Sequence, residues 1–402
     1  MGWEEELSFL SIRSIIINHA SGRPAVCQSA PPRRIVPREN GSGGSGGMSG
    51  QQGRVIGRAD GEEVRAFDLS GPGGLRARIL TWGARLAELW VPDRAGRLAD
   101  IVLGHDRLED WLACTTYFGA TCGRYANRIA GGRLVLDGES FQVDLNEGAN
   151  HLHGGAAGFD RKNWSVEEAS DRHVTLSCLS EDGEMGYPGR LQARCTYRFD
   201  AEGRLWVTME AETSRPTVIN LVNHVYFNMA GHDSGPVTGQ LLRVAADHYL
   251  PVAADLIPTG EIAAVAGTAF DFRALRPIGQ PLPGPMGFDH NLCLSSAPEP
   301  VGDALLRFCA EATDPASGRR LQLWTTEPGV QLYTGAYLDD RLPGKAGARV
   351  IPFGGFTLET QRFPDSPNRP QFPSARLDPG QRYCHRMALS FAPAAEAGAG
   401  GR

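Results

Sequence analysis

Short runs in which apolar and polar residues alternate recur along most of this chain, broken by Gly, Pro, Asn and Asp. Alternation with a period of two marks β-strands that rest one face on a core. HVTLSCLS, LQARCTYRFD and RLWVTMEAET follow one another at roughly ten-residue spacing, the rhythm of a sandwich or barrel. In RLVLDGESFQV (133–143) two such runs flank Asp137-Gly138, the dipeptide that favours a two-residue hairpin turn. LVNHVYFNM and FGGFTLETQRF read as further strands. Helical periodicity is scarce, with HDRLEDWLA (105–113) its best candidate. No repeat and no boundary is visible between about residues 50 and 395, so the pattern predicts one large all-β domain over residues 48–395.

The ends differ from this body. Residues 1–47 finish in PPRRIVPRENGSGGSGG, a Pro/Arg segment running into a Gly/Ser tract. That composition predicts a disordered leader, with Met48 as the natural start. Residues 396–402 read as a flexible tail. Composition refines the class: 41% hydrophobic and 21% charged residues describe a soluble globular protein. Glycine takes 50 of 402 positions, above the usual ~7%, as a turn-rich β protein requires. A net charge of −6 provides no basic field for nucleic acid and no polybasic membrane patch. No apolar run reaches the roughly 18 residues of a membrane helix. The eight cysteines contain no Cys-x-x-Cys pair, which argues for buried free thiols in a reducing, cytoplasmic compartment.

Candidate chemistry falls in five polar clusters, the first of which spans residues 123–155 and has two parts. GRYANRIAGG (123–132) offers Asn127 and Arg128, several directed donors and an acceptor suited to hydroxyl groups. Downstream, NEGANHLHGG (146–155) carries His151 and His153; on a continuous strand they would share a face, a geometry that suits either a metal ion or a polyol. In LVNHVYFN, His224 and Tyr226 share a strand face with Val222 and Asn228. GFDHNLCL supplies Asp289 and His290, and PGVQLYTG places Gln331 beside Tyr333. FTLETQRFPD aligns Thr357, Glu359 and Gln361 on one face before a proline-stiffened loop, a setting that holds a carboxylate for proton transfer. Each cluster alone has an ordinary reading as turn residues or solvated charge.

Taken in order, GRYANRIAGG, NHLHGG, EDGEMGYPG, NHVYFN, GFDHN, GVQLYTG and ETQRFPD resemble the aldose 1-epimerase (galactose mutarotase) family over about residues 75–391. The resemblance implies a large antiparallel β-sandwich, the galactose mutarotase-like supersandwich, with a sugar cleft across one sheet. It places the acid/base pair on His224 and Glu359 and the sugar contacts on Asn127, Arg128, His153, Asp289 and Gln331. It implies a free aldose such as glucose or galactose as substrate, and neither cofactor nor metal. A metal site at His153 would also need further ligands, and no carboxylate follows at regular spacing before Asp160.

Opening a cyclic hemiacetal requires a base for the C1 hydroxyl proton and an acid for the ring oxygen. Glutamate is ionised near neutrality and suits the base, while a histidine acid needs a negative neighbour to stay protonated. Three rival readings use the same residues. A hexose-6-phosphate epimerase would add arginines for the phosphate, with Arg124, Arg128 and Arg369 in sight. A non-catalytic sugar-binding module would not need Glu359 or His224. A glycosidase would work through Asp289 and Glu359 as paired carboxylates.

Overall fold

Strand Leu191–Phe199 is buried at every second residue, and Arg319–Thr325 repeats the pattern. Both belong to a ten-stranded antiparallel sheet whose successive members include His173–Ser180, Leu191–Phe199, Leu205–Thr213, Tyr383–Pro393, Arg319–Thr325 and Ala304–Thr313. The structure is a computed structural model describing residues 52–393. The predicted leader, the Met48 start and the 396–402 tail therefore lie outside the described residues. A five-stranded sheet covers Arg54–Asp100, and a six-stranded sheet runs in the order Tyr226–Phe227, Phe356–Gln361, Gly329–Tyr333, Asp289–Leu294, Ala246–Tyr249, Ala263–Ala264.

One apolar core lies between these sheets. It takes Phe67, Ile79 and Leu89 from the five-stranded sheet and Leu176, Cys195, Val207, Leu323 and Leu389 from the ten-stranded one. Leu292, Val330, Leu332, Phe356 and Leu358 complete it from the six-stranded sheet. This is the antiparallel sandwich that the family resemblance implies, where alternation alone left sandwich and barrel open. Each large side chain so buried contributes about 1.5–3 kcal/mol. Leu108–Ala113 is the one α-helix among the described residues, shorter than the 105–113 segment read from sequence. No helix among the described residues is long and apolar enough to cross a membrane.

The six-stranded sheet departs from simple alternation: Gly329–Tyr333 and Phe356–Gln361 are buried at every position. Their apolar side chains enter the core, so the opposite face, with Gln331, Tyr333, Thr357, Glu359 and Gln361, is covered by something else. The cover comes from loops and short strands. Arg128–Ile129 pairs with His151–Leu152, joining the two parts of the first polar cluster. LVNHVYFNM is not one strand. Asn223 and His224 pair with Thr121 and Ala120, whereas Tyr226 and Phe227 pair with Thr357 and Phe356. The chain changes partner at Val225, which enters the core, and so carries His224 across to Glu359's strand. Asp137 and Gly138 both adopt positive φ between Arg133–Leu136 and Glu139–Gln142, as the hairpin reading requires.

Close backbone approach sets the position of the histidine loop. Gly154 has φ +94°, and a Cβ there would sit 1.8 Å from the carbonyl oxygen of Gly123. Only glycine lets this loop lie against the 123–128 segment. Gly154→Ala should therefore destabilise the fold by about 3 kcal/mol or more, because strain and overlap act together. Denaturant unfolding measures this; a loss below about 1 kcal/mol would show that the loop moves aside at little cost.

Candidate active site

The polar face of the six-stranded sheet forms the floor of a cavity of about 440 Å³. Register builds this floor. Asn291 lies opposite Gln331, Gln331 opposite Glu359, and Tyr333 between Asp289 and Thr357. An amide ladder ties the strands together: Gln361 Nε2 donates to Asn291 Oδ1 (3.0 Å) and Gln331 Oε1 (3.2 Å), and Gln331 Nε2 donates to Asp289 Oδ1 (2.7 Å). Asn127, Arg128, His153, His224, Asp289 and Glu359 all line the cavity. Gln331 is 3% exposed and acts from beneath, holding Asp289.

The two residues of the sequence-predicted acid/base pair meet. His224 Nε2 lies 3.4 Å from Glu359 Oε1, which also accepts a hydrogen bond from Thr357 Oγ1 at 2.9 Å. His224 Nδ1 and Glu359 Oε2 have no protein partner. Burial dominates the protonation of both. It pushes Glu359 up to about 8, with the nearby Asp289 charge adding to it and the Thr357 hydrogen bond opposing it. It pushes His224 down to about 3. The low-polarity pocket thus prefers a neutral pair with its proton on the carboxyl. Sequence reasoning took Glu359 as the ionised base and gave His224 a proton only with the help of a negative neighbour, because it had no measure of desolvation.

His151 and His153 do not share a face. The strand ends at Leu152 and His153 takes φ +50°, which turns its ring into the cavity. His151 points away: its Nδ1 donates to the Asp144 carbonyl (2.6 Å) and its Nε2 accepts from the Tyr187 hydroxyl (2.5 Å). In His153 the backbone N–H of Asn127 donates to Nδ1 at 3.2 Å, so the neutral ring carries its proton on Nε2. Burial holds His153 well below its ordinary range, with the neighbouring His224 next in effect.

His153, His224 and Glu359 place ligand atoms within 4.8 Å of one another, so a third metal-ligating group does exist, 206 residues beyond His153 and invisible to local spacing. The donor set does not suit a metal ion, however. A ligating imidazole donates its other N–H to an acceptor, whereas His153 receives a hydrogen bond there. Its tautomer fits a hydrogen-bond donor to a hydroxyl oxygen.

Arg128 is already committed, with Nε and Nη2 each donating to Glu147 at 2.7 Å and Nη1 lying 3.7 Å from Asp289. Tyr117 at φ +58° presents its ring to His153 (centroids 4.7 Å apart) and His224 (5.6 Å), forming an aromatic wall with Tyr226.

A model of the aldose 1-epimerase family matches residues 65–390. The chain belongs to the aldose 1-epimerase family. Among curated relatives, it is 46% identical to the galactose mutarotase of Bos taurus over 322 residues, covering 80% of this chain and 92% of that protein. It is 45% identical to the Homo sapiens galactose mutarotase with the same coverage. The aldose 1-epimerase of Escherichia coli is 34% identical over 340 residues, 83% of this chain and 96% of that one. A crystal structure of an aldose epimerase homologue from C. elegans superposes with TM-score 0.76 at 28% identity, covering 83% of this chain and all of that one.

In this aldose 1-epimerase family member, sequence reasoning missed Tyr117, Glu147 and Asn291. Glu147 lies inside the quoted NEGANHLHGG stretch, but only tertiary contact shows its grip on Arg128. Tyr117 shows no sequence signal beyond being an aromatic before a glycine-containing turn. Asn228, expected beside His224, instead donates to the carbonyls of Gly235 and Gly354.

The raised Glu359 carries a stability consequence. From its ordinary value of 4.5 up to about 8 the folded chain binds more protons than the unfolded one, so stability is greatest below this window and falls as pH rises through it. Glu359→Gln removes that loss. Its thermal midpoint should gain on the parent's as pH rises from about 5 to about 8. A difference independent of pH would overturn the assignment.

Proposed function

We propose that this chain interconverts the α and β anomers of free aldohexoses such as glucose and galactose, with His224 and Glu359 as the acid/base pair. The observation that carries this reading is the pair itself: two groups 3.4 Å apart, shifted oppositely by burial and lining one cavity. Asn127, Arg128, His153 and Asp289 would hold the sugar hydroxyls, with Gln331 orienting Asp289 from below.

Ring opening transfers two protons. Glu359, as carboxylate, takes the C1 hydroxyl proton while C1–ring-oxygen cleavage proceeds, and His224, as imidazolium, delivers its proton to the ring oxygen. Afterwards Glu359 is protonated and His224 neutral, which is the state that burial favours. The surroundings therefore stabilise the protonation state that accompanies the open-chain aldehyde more than that of the cyclic sugar, a differential that lowers the barrier to opening. Rotation about C1–C2 and the reverse transfers close the ring on the other face. The pair holds one proton at both stages, so no cofactor enters.

The pocket's charge favours a neutral sugar over a phosphorylated one. Among the described residues, Arg128 is the single arginine or lysine on its lining, and it is neutralised by Glu147 and Asp289. Arg124 is spent on the carbonyls of Ser180, Glu181, Pro188 and Gly189, and Arg369 on Asp365 and the Pro258 carbonyl. Free thiols at the described cysteines suit a reducing compartment, and we place the protein in the cytoplasm.

Polarimetry on freshly dissolved α-D-glucose and α-D-galactose tests the reaction, and unchanged mutarotation rates would end the proposal. Glu359→Gln and His224→Asn should each lower kcat by roughly 10²–10⁴ with less effect on KM. The double variant should fall little below the worse single one, since the pair works as a unit. Near-normal turnover by folded Glu359→Gln would place the base elsewhere. Glucose 6-phosphate should be handled at least about tenfold less efficiently than glucose in kcat/KM; equal handling would favour the phosphate-specific reading.

A further inference from the structure

One buried cation behind the cavity wall takes no part in the proposed chemistry. Arg85 opens the strand Arg85–Pro92 and is 1% exposed. A guanidinium held out of water is costly unless its charge is well paired. Both hydrogen bonds of Arg85 go instead to backbone carbonyls: Nη1 donates to Phe118 (2.8 Å) and Nη2 to Asp160 (2.9 Å). Its Nε has no hydrogen-bond partner, and the Trp111 ring centre lies 5.6 Å from the guanidinium carbon. Both carbonyls belong to segments that carry site residues. Phe118 follows Tyr117, whose ring faces His153 and His224. Gly119 comes next; its N–H donates to the His224 carbonyl (2.9 Å), and its own carbonyl accepts from the Leu86 N–H (2.9 Å). The Arg85 strand, the Tyr117–Gly119 turn and His224 therefore form one hydrogen-bonded stack. Asp160 closes the loop that starts at His153, where the Gly158 N–H bonds to the Gly155 carbonyl and the Phe159 N–H to that of Gly123. One guanidinium thus ties the wall holding Tyr117 and His224 to the loop carrying His153.

We propose that Arg85 is a positioning residue for the acid/base pair, a buried cationic clamp that keeps Tyr117 and His224 aligned with His153 and Glu359; the proposal rests on the epimerase reading. A planar fork that spans two carbonyls is stiffer than a single donor on a flexible stem, which is what an arginine supplies here. The clamp acts on backbone, so it fixes where the Tyr117 ring and the His224 strand lie without touching the sugar. Its charge has a second effect. Burial dominates the protonation of His224, and the Arg85 charge acts in the same direction, against a proton on the ring. An imidazolium formed with sugar bound is thereby a stronger acid toward the ring oxygen.

Arg85→Met in the full chain keeps much of the side chain's apolar length and removes both the fork and the charge. Deuterium exchange into the peptide covering Tyr117–Thr121 should then quicken by about tenfold or more, with strand Leu191–Phe199 unchanged. By polarimetry, kcat should fall by roughly 10–100-fold while KM stays within about threefold, because a misplaced proton-transfer group costs rate more than binding. Arg85→Lys restores the charge and one donor, and should recover at least about fivefold in kcat over Arg85→Met. Should Arg85→Met fail to fold, Arg85→Gln replaces it with the same expectations. Four results would each overturn the proposal: exchange at Tyr117–Thr121 that is unchanged or quickens equally with Leu191–Phe199, kcat within about twofold of the parent, a loss confined to KM, or a lysine variant no better than the neutral one. The exchange arm does not depend on the reaction. A parent chain that fails to speed mutarotation would sink the epimerase reading, and exchange alone would then decide the clamp.

Discussion

The pocket is organised by one constraint: a glutamate and a histidine are buried 3.4 Å apart, away from water. In water at neutral pH the glutamate would be ionised and the histidine partly protonated. Removed from water they prefer to be neutral, because desolvation penalises each charge more than their mutual attraction returns. This inversion makes the pair responsive to a sugar. In the proposed reaction, hydroxyl groups that solvate the ionic form would shift the proton to His224, and ring opening would shift it back. The unpartnered His224 Nδ1 and Glu359 Oε2 mark polar capacity that the protein itself leaves open.

Maintaining such a pair demands rigidity from its surroundings. Glu359 sits on a strand whose other face is locked into the main core by Phe356 and Leu358, so its backbone has little freedom. Asn291, Gln331 and Gln361 form a neutral amide ladder across the same floor and satisfy one another without adding charge. Opposite this floor, His224 reaches the cavity because its chain changes sheets at Val225, and His153 because its loop lies glycine against glycine on residue 123. The site is therefore held by backbone geometry on three sides and by side-chain pairing on the fourth. Arg128, gripped by Glu147 and Asp289, acts as a fixed dipolar element in the wall more than as a free cation.

Much of this was legible in the residue order. Alternation specified the strands, Asp137-Gly138 specified its hairpin, and period-two spacing correctly put Thr357, Glu359 and Gln361 on one face and Gln331 beside Tyr333. These succeed because side-chain direction in a regular strand is a local property. The ordered set of polar motifs also identified the family and the sandwich, since residues that must converge on one substrate leave a signature in sequence even when they are far apart along the chain.

Tertiary structure decided what depends on contact, dielectric and irregular backbone. Local periodicity gave His151 and His153 a common face, but a positive φ at His153 turned one into the cavity and left the other bonded to Asp144 and Tyr187. Reference acidities left Glu359 ionised and His224 partly protonated, and burial favours the neutral pair with its proton on Glu359. Counting arginines left phosphate recognition open, and hydrogen bonds showed each of the three to be engaged elsewhere. Ligand spacing saw no third metal-binding group. The fold supplied one, and a backbone N–H on His153 set the tautomer that makes it a donor instead. Residue types and their order determined which groups are available and which faces they share; only the assembled fold determined their protonation, their partners and their separation, because solvation and Coulomb interactions act through space and not along the chain.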